Sequence, residues 1–222
     1  SSNVKDKAPL IVFDLDGTLT RKDTYIPFLL GFLARNPWRI FRTIHLPLAV
    51  LMYLFKMKDN TWLKLVFLNA FMGGVSRKKL EPWVNSFSET VVNQGMRVNA
   101  LEILSKHKKQ DCKLVLASAS LDIYVEAIGK KLGFDTIIST KAEYERDCLT
   151  GNITTKNCYG DEKVNRVNEW LAHNNYGQVD IAYSDHHSDL PLLQRANKGI
   201  AVNPTDALRA MSESKQLEIV DW

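Results

Sequence analysis

Two aspartates one residue apart, Asp14 and Asp16, follow an apolar run in VFDLDGTLT, residues 12–20. Leu10, Ile11, Val12 and Phe13 have the short, β-branched character of a strand buried on both faces. Alternation along an extended chain aims both carboxylates to one side with Leu15 opposite, and Gly17 lets the backbone turn away sharply. Like charges held that close raise each other's pKa values unless something compensates them. The same pattern recurs in YSDHHSDLPLL, where Asp185 and Asp189 also lie just beyond an apolar strand. A hard divalent cation would relieve the repulsion, and Mg²⁺ takes a few carboxylates, some water and a substrate phosphate oxygen. Lys163, early in a helix starting near Asp161, supplies a fixed positive charge. Ser118 offers a hydroxyl, and main-chain N–H groups at the helix start that follows it suit an anion. Nucleophile, acid, metal, lysine and hydroxyl together are the parts of phosphoryl transfer through an aspartyl phosphate.

Other chemistries fit less well. An EF-hand would need an acid or amide at the fifth position and Glu at the twelfth, where Thr18 and Tyr25 stand. GNITTK lacks the second Gly of a P-loop. His186 and His187 are adjacent in a short loop, which disfavours one ion shared between them, and Trp170 follows helical spacing with Val167 and Leu171 as a core residue. Cys112, Cys148 and Cys158 form no C-x-x-C and leave an odd one over, which points to free thiols in a reducing compartment. Ser1 to Lys7 is polar, so no cleavable signal is expected ahead of the first strand.

The elements that must position these groups alternate along the chain. Helices are expected over about 97–110, up to Gly133, over 161–175 and over 191–196, with Ser118 or Ser120 capping the second of them. Strands are expected at 113–117, 136–139, 179–183 and, last, 200–202, with a hairpin over 142–155. Strands alternating with helices imply an α/β fold with a parallel sheet, whose ligands bind at the carboxyl ends of the strands. Asp14, Ser118 and Asp185 all fall at such ends. Residues 24–96 read instead as consecutive helices broken at Asn36-Pro37, Lys58-Asp59-Asn60 and Gly73-Gly74, with Asn36 as a helix cap.

Together these motifs resemble the haloacid dehalogenase superfamily, in its phosphoserine-phosphatase-like branch. D-x-D-G-T is Asp14 to Thr18, the strand-ending hydroxyl is Ser118, the helix-borne lysine is Lys163 in CYGDEK, and D-x-x-x-D is Asp185 and Asp189. The resemblance implies a Rossmann-like core over residues 1–20 and 97–222, with a helical cap inserted over 21–96. It further implies that Asp14 attacks phosphorus while Asp16 protonates the leaving group and later deprotonates water. The Asp14 and Asp185 carboxylates and the Asp16 main-chain carbonyl would hold Mg²⁺. Lys163 would neutralise Asp14 and the phosphoryl oxygens, Ser118 and Ala119 would bind the phosphoryl group, Thr18 would orient the loop, and Asp189 would steady Lys163 or a water on the metal.

The inserted segment should choose the substrate. The chain has a net charge of +4, yet between Tyr25 and Met72 six basic residues, Arg35, Arg39, Arg42, Lys56, Lys58 and Lys64, meet only one acid, Asp59. The same window is rich in apolar residues. Its run IHLPLAVLMYLF, residues 44–55, is shorter than the ~20 residues a bilayer span needs. Arg35, Arg39 and Arg42, at spacings of four and three, would form a basic helical face suited to an anionic membrane surface. The segment also resembles the caps of phosphatidylglycerophosphatase C-like members. The resulting expectation is a cytoplasmic Mg²⁺-dependent phosphatase, peripheral at the inner face of the membrane, acting on a lipid phosphate such as phosphatidylglycerophosphate, with no nucleic-acid partner. A soluble phosphoserine-like phosphatase, a phosphotransferase and a non-catalytic module binding an anionic membrane or nucleic acid are the alternatives.

Overall fold

The computed structural model describes residues 7–222, so of the polar amino-terminal stretch only Lys7 is included. β1 (Leu10–Phe13) lies inside a six-stranded sheet with β2 (Lys113–Leu121), β3 (Thr136–Thr140), β6 (Val179–Ser184), β7 (Ala196–Val202) and β8 (Glu218–Val220). The order is β3-β2-β1-β6-β7-β8, and every pairing is parallel. Val12 sits in register between Val115 and Ala182, which is why the run around it is apolar on both sides. Alternation then divides the strand between two cores. Ile11 and Phe13 pack with Leu104 of α5 (Val98–Lys109) and Ile128 of α6 (Asp122–Leu132), whereas Leu10 and Val12 pack with Val167 and Leu171 of α7 (Asp161–His173) and Leu208 of α9 (Asp206–Ser214). The sheet is thus covered by helices on both faces, with α8 (Leu190–Arg195) between β6 and β7.

Between β1 and β2 the chain inserts α1 (Tyr25–Arg35), a 3₁₀ helix (Pro37–Thr43), α2 (Leu46–Leu54), α3 (Asn60–Met72), α4 (Arg77–Thr90) and a π turn (Val91–Gly95). Its two connections pair with each other: Thr20 bridges Met96 antiparallel, Arg21 N–H donates to Gly95 O at 2.9 Å, and Arg97 N–H donates to Leu19 O at 2.8 Å. The hairpin β4 (Ala142–Glu145) and β5 (Cys148–Ile153) turns at Arg146 and Asp147, both with positive φ. It docks on the inserted helices: Gly74 N–H donates to Leu149 O at 2.7 Å, and a Cβ on Gly151 would lie 2.6 Å from the Asn69 Cβ.

Several expectations need correction. Asn36 holds the N-cap position before Pro37 as expected, but its side chain makes no capping bond, because its amide turns back to Phe32 O at 3.0 Å. Neither Ser118 nor Ser120 caps α6; Leu121 holds that position without a side-chain bond, since both hydroxyls are drawn elsewhere. The strand 200–202 is not the last, as β8 adds an edge strand after α9. Most consequential, Arg35, Arg39 and Arg42 do not share one solvated face, since Arg39 is buried. The 3₁₀ turn aims Arg39 and Arg42 at the carboxyl end of α3, and Arg35 lies over the Trp83 ring at 4.1 Å. Arg39 is 4% exposed and donates to Phe71 O at 2.6 Å and Gly73 O at 2.8 Å, supplying partners that the last carbonyls of a helix otherwise lack. Arg42, which is exposed, donates to Asn69 O at 3.1 Å and Ala70 O at 3.3 Å.

Arg39→Met should therefore destabilise the protein by ~2–4 kcal/mol, because two hydrogen bonds from a charged donor are lost and their carbonyls are left buried. Arg42→Met, on the exposed side, should cost under ~1 kcal/mol. Denaturant unfolding of both variants checks the contrast; equal losses would mean that the burial of Arg39 carries no weight.

Candidate active site

The carboxyl ends of β1, β2 and β6 open into a crevice of about 500 Å³ lined by Asp14, Asp16, Lys64, Ala119, Lys163 and Asp185, among others. At its floor is a buried ion-pair chain. Lys163 Nζ donates to Asp14 Oδ1 at 2.9 Å and to Asp189 Oδ2 at 2.8 Å, and Ser184 Oγ also donates to Asp189 Oδ2, at 2.7 Å. Lys163 reaches the floor from the first turn of α7; Asp189 sits in the 3₁₀ turn His187–Asp189 that follows β6. All three charged groups are almost completely buried. Burial depresses the Lys163 ammonium, but Asp14 and Asp189 outweigh it and lift its pKa above the usual lysine value. Burial holds the Asp14 carboxyl well above the usual carboxylate range, with Lys163 opposing and Asp189, Asp185 and Asp16 adding to the rise.

Thr18 ties the second pair together. Its Oγ lies 3.0 Å from Asp14 Oδ2 and 3.1 Å from Asp185 Oδ1 and accepts from Asp185 N–H at 2.9 Å. One hydroxyl carries one proton, so it satisfies only one of these carboxylates at a time. Burial raises the Asp185 carboxyl too, against the hydrogen bonds that Asp14 and Thr18 make with it. Two facing carboxylates short of a proton are the donor set a small hard cation completes. Mg²⁺ needs only one or two carboxylates alongside water and phosphate oxygens, so it fits even though no group of three or more His, Cys, Asp or Glu among the described residues is arranged to hold a metal. Gly17, at φ +78°, makes the approach possible: a Cβ there would lie 2.3 Å from Asp185 Oδ2.

Asp16 is held apart from that pair. Its Oδ1 accepts from Thr24 N–H at 2.8 Å and from the Thr24 hydroxyl, and its Oδ2 accepts from Ser120 Oγ at 2.7 Å. Tyr124, fully buried, stands behind with its hydroxyl 2.9 Å from Thr24 Oγ. Ser118 is fully buried and absent from the crevice wall, which Ala119 and Ser120 form. The Ser118 Oγ accepts from Ser120 N–H at 3.0 Å, leaving its own proton free to donate. His186 caps the 3₁₀ turn through Ser188 N–H. Thr24, Ser120, Lys64 and Ser184 escaped the sequence reading as site residues. Only Ser120 carried a signal, its place two residues beyond Ser118, and that had been spent on a helix cap.

A sequence model of the haloacid dehalogenase-like hydrolases matches residues 11–194. The chain belongs to this family. Among curated proteins, this hydrolase is similar to protein CicA of Caulobacter vibrioides, with 28% identity over 190 residues that cover 85% of this chain and 83% of that protein. Among solved structures it resembles a protein of unknown function from Bordetella pertussis, with a TM-score of 0.83 and 25% identity over 97% of this chain and 99% of that one. A substrate-bound phosphoserine phosphatase shares the fold, with a TM-score of 0.66 at 17% identity over 97% and 94% of the two chains. The expected haloacid dehalogenase fold, a parallel sheet with an inserted helical segment, is thus the fold observed.

Gly17→Ala tests whether the close approach at Asp185 matters. A left-handed backbone costs a side chain roughly 1–2 kcal/mol, and the added methyl must also displace a carboxylate. Hydrolysis of an aryl phosphate should fall at least ~10-fold, equivalent to ~1.4 kcal/mol in the transition state, in protein that still unfolds cooperatively. Unchanged turnover would separate Asp185 from the site.

Proposed function

We propose that this hydrolase cleaves phosphomonoesters by forming and hydrolysing an aspartyl phosphate on Asp14. The observation that carries the reading is the buried Lys163 ammonium between Asp14 and Asp189, below a crevice that Asp14 also lines. A carboxylate Oδ of Asp14 attacks phosphorus, and the bond from phosphorus to the alcohol oxygen breaks. Asp16 gives that oxygen its proton. Water then attacks the same phosphorus, Asp16 takes up the proton, and the bond to the Asp14 oxygen breaks to release phosphate. Lys163 offsets charge on Asp14 and the transferring group, and Thr18 sets the spacing of Asp14 and Asp185. The Asp14 and Asp185 carboxylates with the Asp16 main-chain carbonyl would hold Mg²⁺. The cation would supply charge stabilisation on the phosphoryl oxygens.

The finer reading is a lipid phosphate met at a membrane surface. Its support is the outer face of the insertion, where Trp38, Phe41, Ile44, Leu48, Leu54 and Phe55 are exposed, Phe41 at 75% and Phe55 at 74%. Exposed apolar side chains in that number between Trp38 and Phe55 mark an interaction site. No acid occurs from Thr24 to Lys58, which suits an anionic bilayer. With Arg39 and Arg42 spent on α3, apolar insertion rather than arginine attraction would dominate the binding. No helix among the described residues is long and apolar enough to cross a membrane, so the contact would be superficial.

Asp14→Asn should lower aryl phosphate hydrolysis by ~10³-fold or more, as loss of a nucleophile does, without unfolding the protein. Near wild-type turnover by the variant with Mg²⁺ present would defeat the assignment. For the surface, Phe41→Ser, Ile44→Ser and Phe55→Ser combined should weaken sedimentation with phosphatidylglycerol vesicles by at least ~10³-fold, since each of the three buried side chains is worth ~1.5–3 kcal/mol. Aryl phosphate hydrolysis should be unaffected. A wild-type protein that ignores such vesicles would leave the apolar face without its proposed partner.

A further inference from the structure

Lys64, on the inserted helix α3, lines the same crevice as Asp14, Asp16 and Lys163, yet nothing in the proposed chemistry uses it. Its Nζ donates to Ala119 O and lies 3.3 Å from Asn157 Oδ1, so both partners are neutral oxygens. Among the described residues no carboxylate comes within 4.0 Å of it. An ammonium has three donors, and two neutral acceptors leave one unspent. The side chain is half-buried, and burial pushes its pKa down to about 8, with Asp16 and Asp23 pulling it back only in part. A lysine drawn out of water without a counter-ion is costly, and an incoming anion removes that cost.

Its neighbours are otherwise engaged. Asp23 Oδ2 accepts from Tyr25 N–H at 3.2 Å, at the start of α1. Arg21 donates to Gln94 O, in the connection to the core. Lys22 is exposed. Lys64 is therefore the half-buried cation of the crevice that no acid pairs with, set on the segment that differs most from the sheet core in composition.

We infer that Lys64 selects phosphomonoesters whose alcohol bears a second anionic group, a carboxylate or a phosphodiester, by receiving that group beside the phosphoryl site. The inference rests on the phosphomonoesterase reading and adds the charge of the leaving alcohol. The bland alternative is a latch that merely holds α3 against Ala119 and Asn157.

Four esters separate these ideas: glycerol phosphate, with a neutral alcohol; phosphoglycerate, with a carboxylate; the larger glycerophosphoglycerol phosphate, with a phosphodiester; and phosphoserine, with both a carboxylate and an ammonium. The wild-type enzyme should favour phosphoglycerate or glycerophosphoglycerol phosphate over glycerol phosphate by at least ~10-fold in kcat/KM, the value of one charge-assisted hydrogen bond. Which of the two leads identifies the source of the anion. Lys64→Met should abolish that ratio, mainly through KM, and Lys64→Arg should keep part of it. A latch would slow all esters together and leave the ratio intact, which would overturn the inference, as would a wild-type preference for glycerol phosphate. Should Lys64→Met fail to fold, inhibition of the wild-type enzyme decides instead. Glycerate or glycerophosphoglycerol should then compete with an aryl phosphate at concentrations where glycerol does not, and equal weakness of all three would overturn the inference. Aryl phosphate hydrolysis that depends on Asp14 but shows no anion preference removes only the role of Lys64; absence of any such hydrolysis removes the phosphomonoesterase reading and this inference with it.

Discussion

A lysine ammonium buried between two aspartates is the constraint around which the rest of the molecule is arranged. A parallel sheet delivers strand ends to one edge, and in this chain those ends bring Asp14, Asp16, Asp185 and Asp189 together. Such a cluster would protonate or push apart if left alone. Lys163 compensates Asp14 and Asp189 at once, and α7 is packed through Val167 and Leu171 so that its first turn must face the site. The remaining strain falls on the pair at Thr18, where one hydroxyl serves two carboxylates. That uneven division, one pair bridged by the Lys163 ammonium and one left short, gives the site a place where a cation and a phosphate can complete the electrostatics.

The same reasoning explains why Asp14 and Asp16, so close in sequence, occupy different surroundings. Asp14 belongs to the sheet edge and is tied to core elements alone. Asp16 is bonded to Thr24, immediately before α1, and to Ser120, near the carboxyl end of β2. The carboxylate proposed to move protons is therefore the one joined to the inserted segment, while the proposed nucleophile is fixed by the core. Any displacement of α1 relative to the sheet would act on Asp16 first.

How much of this was legible follows the range of each interaction. β1, the approach of Asp14 and Asp185, and the lysine on α7 could be read because strand periodicity and turn residues are local properties. The stop of α6 at Gly133 was readable for the same reason, its φ of 80° being the left-handed value a helix end favours. Arg39 was misread because its spacing from Arg35 and Arg42 looked like a helical face, whereas its partners, Phe71 O and Gly73 O, lie more than thirty positions away. The docking of β5 on α3 depends on Gly151 meeting Asn69, again a contact no local pattern announces. Ser120 and Thr24 were invisible as site residues because serine and threonine before helices have an ordinary explanation as caps.

The insertion faces two opposed demands, and its residue distribution reflects both. Toward solvent, from Thr24 to Lys58, it exposes aromatic and aliphatic side chains with no acid among them; toward the crevice it presents Tyr25, Ile26, Leu63 and Phe67 around a half-buried cation, Lys64. A segment evolved merely to pack would have no reason to place a lysine there, since Ala119 O and Asn157 Oδ1 could be met by a neutral donor without the cost of desolvating charge. Nor would it leave Phe41 and Phe55 outside when α1 and α3 already bury Phe28, Phe32 and Phe71 against the core. Apolar surface outside and one unpaired cation inside are what a substrate with a greasy end and an anionic, phosphate-bearing end would require of the element that admits it.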